Sequence, residues 1–217
     1  LFFTFKGNSL IVRLFFDGYK GWIDNKQFKL IKTTDYKKFT TENEILCAEL
    51  LSSIKDEHGK PQPIVLGSIL NCQKFLKHNY EGKKLNVVIN KNKLIETSLM
   101  YINTPYLWGG KTPLGIDCSG FTQMVYRING LRLKRDAVDQ SRQGKKINFI
   151  KDSKPGDLAF FENNTGKITH VGIIMENNHI IHSHGKVRID NLDDNGIYNV
   201  ELKKYSHRLK IIKNIIK

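Results

Sequence analysis

One of three cysteines, Cys118, lies in the run Asp117-Cys118-Ser119-Gly120, and two of the histidines, His170 and His182, stand downstream in β-rich sequence. A thiol attacks a carbonyl once it is ionised, one imidazole can hold and return the proton, and a second can orient the first. From Cys118 onward Phe121, Met124, Val125 and Ile128 fall at helical spacing, and Gly130 stands where that helix would stop. Cys118 is thus expected in the first turn. The unpaired N–H groups and the positive end of the helix dipole there should lower the thiol pKa. Gly120, lacking a Cβ, leaves room for a second backbone or a substrate.

The histidines lie in Thr169–Met175 and Ile180–Gly185, two β-rich runs separated by a short polar break that reads as an antiparallel hairpin. Side chains alternate along a strand, so His170 and His182 share a face only if the loop or a bulge contributes an odd number of residues. A three-residue loop over Glu176, Asn177 and Asn178 would set His182 opposite Gly172 and diagonal to His170. Glycine there leaves the space two imidazoles need. His184, two residues on, shares the face and would replace His182 as orienter if the register shifted.

Five motifs in order, Pro105-Tyr106-Leu107-Trp108-Gly109-Gly110, Gly115-Ile116-Asp117-Cys118-Ser119-Gly120-Phe121, Lys154-Pro155-Gly156-Asp157-Leu158, His170-Val171-Gly172-Ile173 and Ile181-His182-Ser183, resemble the NlpC/P60 cysteine peptidases. The resemblance runs from about Leu94 to the C-terminus. It implies an α+β, papain-like catalytic domain, with helices packed on an antiparallel sheet, over residues 91–217. It also implies cleavage of cell-wall peptides, commonly beside D-glutamate or diaminopimelate. It assigns Cys118 as nucleophile, His170 as base and His182 as orienter. It places Tyr106 near the oxyanion position, with a rim or core aromatic as the alternative. Asp117 and Ser119 would line the specificity pocket, Asp117 holding a peptide α-amino group, serving as the helix N-cap, or both. Related enzymes place a serine or other small residue close to Ala137 in the substrate pocket; Ala137 has no hydroxyl, so contact there would be apolar.

Residues 1–90 read as an all-β region. Leu10–Phe16, the pair Asp17-Gly18 and Tyr19–Ile23 suggest a hairpin with a two-residue type I′ turn, and Phe28–Ile31 a third strand. Gly18–Ile23 resembles the end of a bacterial SH3 domain whose opening strands are missing. Family members with this layout carry SH3-like domains that wall off one end of the cleft. That implies a gamma-D-glutamyl-L-diamino acid endopeptidase acting on short peptides with a free N-terminal L-alanine. Glu44–Lys55 suits either helix or strand, and its β-rich partner Ile64–Leu70 favours strand. Lys93–Asn103 reads as a helix with Ile95, Leu99 and Ile102 along one side, stopped before Pro105. Asp136 should cap a short helix that closes near Gly144, with Gln140 on its solvated side or, as the alternative, facing the cleft. Lys154–Asp157 is a turn feeding the strand Leu158–Phe161, and Asp157 serves the turn.

The 217 residues carry a formal charge of +14, which suits polyanions, an anionic wall, acidic peptides, or simply a lysine-rich proteome. The lysines are scattered rather than gathered into an aromatic-interleaved stripe, which argues against a specific nucleic-acid partner. Peptidoglycan-derived peptides are the expected partners. Cys47, Cys72 and Cys118 cannot all pair, and no Cys-x-x-Cys spacing marks a structural zinc site. Cys118, His170 and His182 are zinc-binding types, yet nothing in their spacing demands a metal. No cofactor is expected. His58, His78, His179 and His207 lie in turn or polar segments and read as solvated. The apolar start Leu1–Phe5 lacks a basic leader and reads as a trimmed N-terminus, compatible with a cell-envelope or a recycling role. Two further readings use the same residues: a catalytically silent wall-binding module, and a lipid acyltransferase of the papain-like class. An intact Cys118, His170 and His182 set speaks against the first, and the lack of an apolar anchor against the second.

Overall fold

Runs of Phe, Ile and Val broken by Gly, Asn and Asp turns dominate the second half of the chain, a composition suited to short antiparallel strands. The computed structural model describes residues 5–41 and 43–215; the apolar opening run Leu1–Thr4 lies outside them. In chain order the elements are β1 (Phe5–Lys6), β2 (Ser9–Arg13), β3 (Lys20–Asp24), α1 (Thr33–Thr41), β4 (Ile45–Cys47), β5 (Leu51–Lys55), β6 (Pro61–Val65), β7 (Lys84–Asn86), α2 (Leu94–Leu99), β8 (Lys111–Thr112), β9 (Gly115–Ile116), α3 (Cys118–Ile128), α4 (Ala137–Gln140), β10 (Lys145–Ile147), β11 (Leu158–Glu162), β12 (Ile168–Ile174), β13 (His179–His184), β14 (Lys186–Asp193), β15 (Gly196–Asn199) and β16 (Lys204–Asn214).

The last seven strands form one sheet in the order β10-β16-β11-β12-β13-β14-β15, and β15 returns to pair with the first part of β16. Strands β11 to β16 therefore close on themselves, which removes their free edges. Alternation along the strands then makes two cores. Leu158, Phe160, Val171, Ile173, Ile181 and Val187 pack with Phe121, Met124 and Val125 of α3. Ala159, Phe161, Ile174, Ile180, Leu192, Ile197 and Ile212 fill the inside of the strand ring. Every residue of α3 is buried. Asp117 caps it by accepting from Gly120 N at 2.7 Å, and Gly130 leaves it at φ +75°.

The first half departs from expectation in three places. The β2–β3 connection is not a two-residue turn: Leu14 N donates to Tyr19 O at 2.8 Å, so Phe15, Phe16, Asp17 and Gly18 make a four-residue loop. Docking explains the longer loop. The Arg127 guanidinium lies 4.3 Å from the Phe16 ring centre, and Gln123 Nε2 donates to Asp17 Oδ2 at 2.9 Å, so the tip grips α3. Phe28–Ile31 forms no strand; β1 is the third member of that sheet. The region is also not all-β, because Thr33–Thr41 is helical. Glu44–Lys55 does supply strands, β5 pairing with β6 from Leu51↔Val65 to Lys55↔Pro61.

Helix α2 is shorter than its sequence suggested and turns a different face inward. Leu94, Thr97, Ser98 and Tyr101 are buried, while Leu99 and Ile102 are each 41 % exposed. Burial followed the larger Tyr101, which meets Phe121 edge-on at 5.9 Å between ring centres. Cys47 and Cys118 are free thiols.

Candidate active site

The histidine hairpin has the odd loop its parity requires. Met175 N donates to His179 O at 2.8 Å, leaving Glu176, Asn177 and Asn178 as the loop, with both asparagines at positive φ. The register sets Gly172 opposite His182, and His170 lies on the diagonal. A Cβ built on Gly172 would lie 2.9 Å from His182 Cβ and 2.7 Å from Ile180 Cδ1. We therefore expect Gly172→Ala to push the two strands apart and misplace His182. Measured kcat should fall while KM changes little; an unchanged kcat would show that the hairpin absorbs the methyl elsewhere.

His170 Nε2 and His182 Nδ1 are 2.8 Å apart, and His182 Nε2 lies 3.0 Å from Asp190 Oδ2. Asp190 is held in turn by Arg188, whose Nε and Nη2 donate at 2.8 and 2.9 Å. Burial alone would raise the Asp190 carboxyl, but the hydrogen bonds from His182 and Arg188 outweigh it and hold the group below its ordinary range. His182 is kept neutral by burial, against the pull of Asp190. His170 is pushed well below its ordinary value by burial first and then by His207, His182 and His184. These partners assign the tautomers. An ionised Asp190 accepts from His182 Nε2–H, so His182 Nδ1 accepts from His170 Nε2–H, and His170 Nδ1 is the nitrogen left with a free lone pair.

Cys118 occupies the first position of α3, 8 % exposed. Its sulfur takes backbone N–H groups from Val171, the neighbour of His170, and from Ser119. The β12–β13 ladder ends at Gly172↔His182, which frees Val171 at the end of the paired stretch. Ser183 Oγ ties β13 to Ile116 O at 2.8 Å, two residues before the cysteine. The structure makes no hydrogen bond between Cys118 and the His170 ring. Contrary to the helix-start expectation, burial, and after it Asp117, pushes the Cys118 thiol up to about 11. Helix-end N–H groups lower a pKa only as far as desolvation allows. The resting pair is thus neutral thiol and neutral imidazole. Because the thiol form persists below that value, alkylation of Cys118 by iodoacetamide should climb about tenfold per pH unit from pH 7 to 10. A plateau below pH 7, read site by site by mass spectrometry, would mean a resting thiolate instead.

Asp117 and Ser119 flank the thiol but are already engaged. Arg135 Nη2 meets Asp117 Oδ2 at 2.5 Å, Arg135 Nη1 meets Oδ1 at 3.0 Å, and Gly109 N donates to Oδ2 at 2.8 Å. With its cap bond to Gly120 the carboxylate accepts at both oxygens, and Arg135 balances its charge. Ser119 Oγ accepts from Arg135 Nη1 at 2.9 Å. Gln140 is not on a solvated face. It is buried, donating to Ser119 O at 2.9 Å and accepting from Thr122 Oγ1 at 2.8 Å. The helix cap offers a second check on sequence: a Cβ on Gly120 would fall 2.4 Å from Gly110 O, so the missing side chain admits a second backbone. Tyr106 is fixed by its N–H to Gly185 O at 2.9 Å and by a bridge to Ile116. Burial raises its hydroxyl pKa, and Cys118 and Asp117 add to that, so it stands within the electrostatic reach of the thiol.

His207 is not solvated: it is half-buried and stacked on His170, ring centres 4.0 Å apart. Sequence reasoning missed both His207 and Asp190. Asp190 carried a faint signal, an acidic residue at an inward position of an alternating strand; His207 carried none, because only β16 joining β11 brings it to His170.

A model of the NlpC/P60 family matches residues 103–205. Gamma-D-glutamyl-L-lysine dipeptidyl-peptidase of Bacillus subtilis is 30% identical over 185 residues, 76% of this chain and 60% of that protein. The Bacillus cereus protein of the same name is 39% identical over 92 residues, 42% of this chain and 27% of that one. This chain thus matches less than two thirds of the length of either relative, 60% of one and 27% of the other. In fold, an NlpC/P60 family protein from Bacillus cereus matches 99% of this chain and 79% of its own, with a TM-score of 0.77 and 22% identity. Helix-start cysteine, paired histidines and these likenesses together place residues 103–205 of this chain in the NlpC/P60 family.

Proposed function

We propose that this protein is a cysteine peptidase that hydrolyses peptidoglycan-derived peptides at the bond between gamma-D-glutamate and an L-diamino acid. The observation that carries the reading is the buried relay His170–His182–Asp190 together with a helix-start thiol whose sulfur takes the backbone N–H of Val171, the neighbour of His170. The names of the Bacillus relatives support the bond. Under this reading Cys118 is the nucleophile, His170 Nδ1 takes the thiol proton as sulfur attacks the carbonyl, and the tetrahedral oxyanion meets the Cys118 N–H and the Tyr106 hydroxyl. Collapse breaks the C–N bond, His170 returns the proton to the leaving amine, and water hydrolyses the thioester with His170 again as base. His182 holds His170 in the tautomer that can accept.

Residues 1–90 are proposed as an SH3-like region preceding a catalytic domain at 91–217, restricting the cleft to short peptides with a free N-terminal L-alanine. The docking of the β2–β3 loop on α3 supports that arrangement. Asp117, paired with Arg135 and next to the thiol, is the acidic group proposed to meet that amine. Mass spectrometry of products from L-Ala-gamma-D-Glu-L-Lys, with and without N-acetylation, tests both parts. Release of L-lysine from the free peptide alone is the expected result. Release from neither peptide overturns the bond assignment, and equal rates overturn the free-amine preference.

A further inference from the structure

Four imidazoles converge at the inner face of the strand ring, and the relay uses two of them. His170, His182 and His207 each offer a ring nitrogen, all within 4.8 Å of one another. His184 adds Nδ1 at 3.3 Å from His207 Nε2, its ring perpendicular to that of His207. Two nitrogens bound at 2.0–2.1 Å to a tetrahedral zinc ion stand about 3.3 Å apart, so that pair already has the spacing of two ligands. The outer nitrogens are held as well. His182 Nε2 is bonded to Asp190 at 3.0 Å, and His207 Nδ1 lies 2.9 Å from Ser206 Oγ. A carboxylate or other polar group on the far nitrogen is the usual outer support of a metal-bound histidine. The relay has no use for the Ser206–His207 bond or for the inward nitrogen of His207.

We propose that His170, His182 and His207, with His184 on the solvent side, form a site for a divalent transition cation of the zinc class, and that occupancy switches the peptidase off. An all-imidazole donor set favours zinc, copper or nickel over magnesium and calcium. When the cation takes the lone pair of His170 Nε2, the proton on that nitrogen moves to Nδ1. The position that would receive the thiol proton is then filled, and no net proton is released. The inhibitory half rests on the proposed base role of His170; the binding half rests on the geometry of the four rings.

The test is titration of the full chain carrying Cys118→Ala with zinc and cobalt(II) ions, by calorimetry and visible absorption. One ion per chain, with the intense cobalt bands of tetrahedral coordination, is expected. Ser206→Ala should weaken binding about tenfold to a hundredfold, and His207→Ala should abolish it. In the protein with Cys118 intact, zinc should stop hydrolysis, a chelator should restore it, and Ser206→Ala should raise the inhibitory zinc concentration without changing the metal-free rate. No binding, binding that survives His207→Ala, or binding lost with Cys118→Ala overturns the site. Binding without inhibition overturns the switch and the base role of His170 while leaving the site standing. A metal-free protein without hydrolysis overturns the peptidase reading alone.

Discussion

Cys118→Ala is expected to remove essentially all turnover, a loss of roughly 10⁴- to 10⁶-fold in kcat, as for the loss of a nucleophile that acts in one unit with its base. The fold should survive. The substitution deletes one buried sulfur, and the cavity it leaves costs about 1 kcal/mol, small against the two cores packed on either face of the sheet. Far-ultraviolet circular dichroism and a thermal melt establish that the variant is folded, and the peptide assay reads the rate. Residual release of L-lysine at more than a thousandth of the original rate, in a protein shown to be folded, would mean that another group performs the attack.

His170→Ala should cost roughly 10²- to 10⁴-fold in kcat, the range of general acid–base participation. It should leave the pH dependence of Cys118 alkylation nearly unchanged. The reason is the charge state of the resting pair. Burial holds the thiol up and His170 down, so the imidazole contributes no positive charge to stabilise a thiolate before substrate arrives. Combining His170→Ala with Cys118→Ala should add nothing further, since the two act as a unit. An alkylation profile that shifts upward in His170→Ala would instead reveal a resting thiolate–imidazolium pair and would contradict the neutral-pair account.

Much of this site is legible in the chain because its parts are local. Asp117 and Gly130 bracket α3 through cap chemistry that spans a few residues, and the odd loop between the histidine strands is fixed by alternation and by two asparagines that tolerate positive φ. The same locality misleads where packing decides. The stripe Ile95, Leu99 and Ile102 has good helical spacing, yet α2 ends at Leu99, only Ile95 packs on the core, and the larger Tyr101 just past the helix takes the buried place. The Asp17-Gly18 pair favours a tight turn, yet Phe16 and Asp17 gain contacts with Arg127 and Gln123 only if the loop is longer. Arg135 and Asp117 lie in separate loop and cap segments whose pairing no spacing rule announces.

What the amino-acid order determined by itself was the placement of a thiol at a helix start and of two imidazoles on one face of a hairpin, because periodicity and turn parity are properties of neighbouring residues. Tertiary structure alone decided that Asp190 anchors the relay, that His207 stacks on His170, that Asp117 pairs with Arg135, and that the thiol rests protonated. Each of these depends on which groups are excluded from water together, and that is set only when the strand ring closes and α3 packs against it.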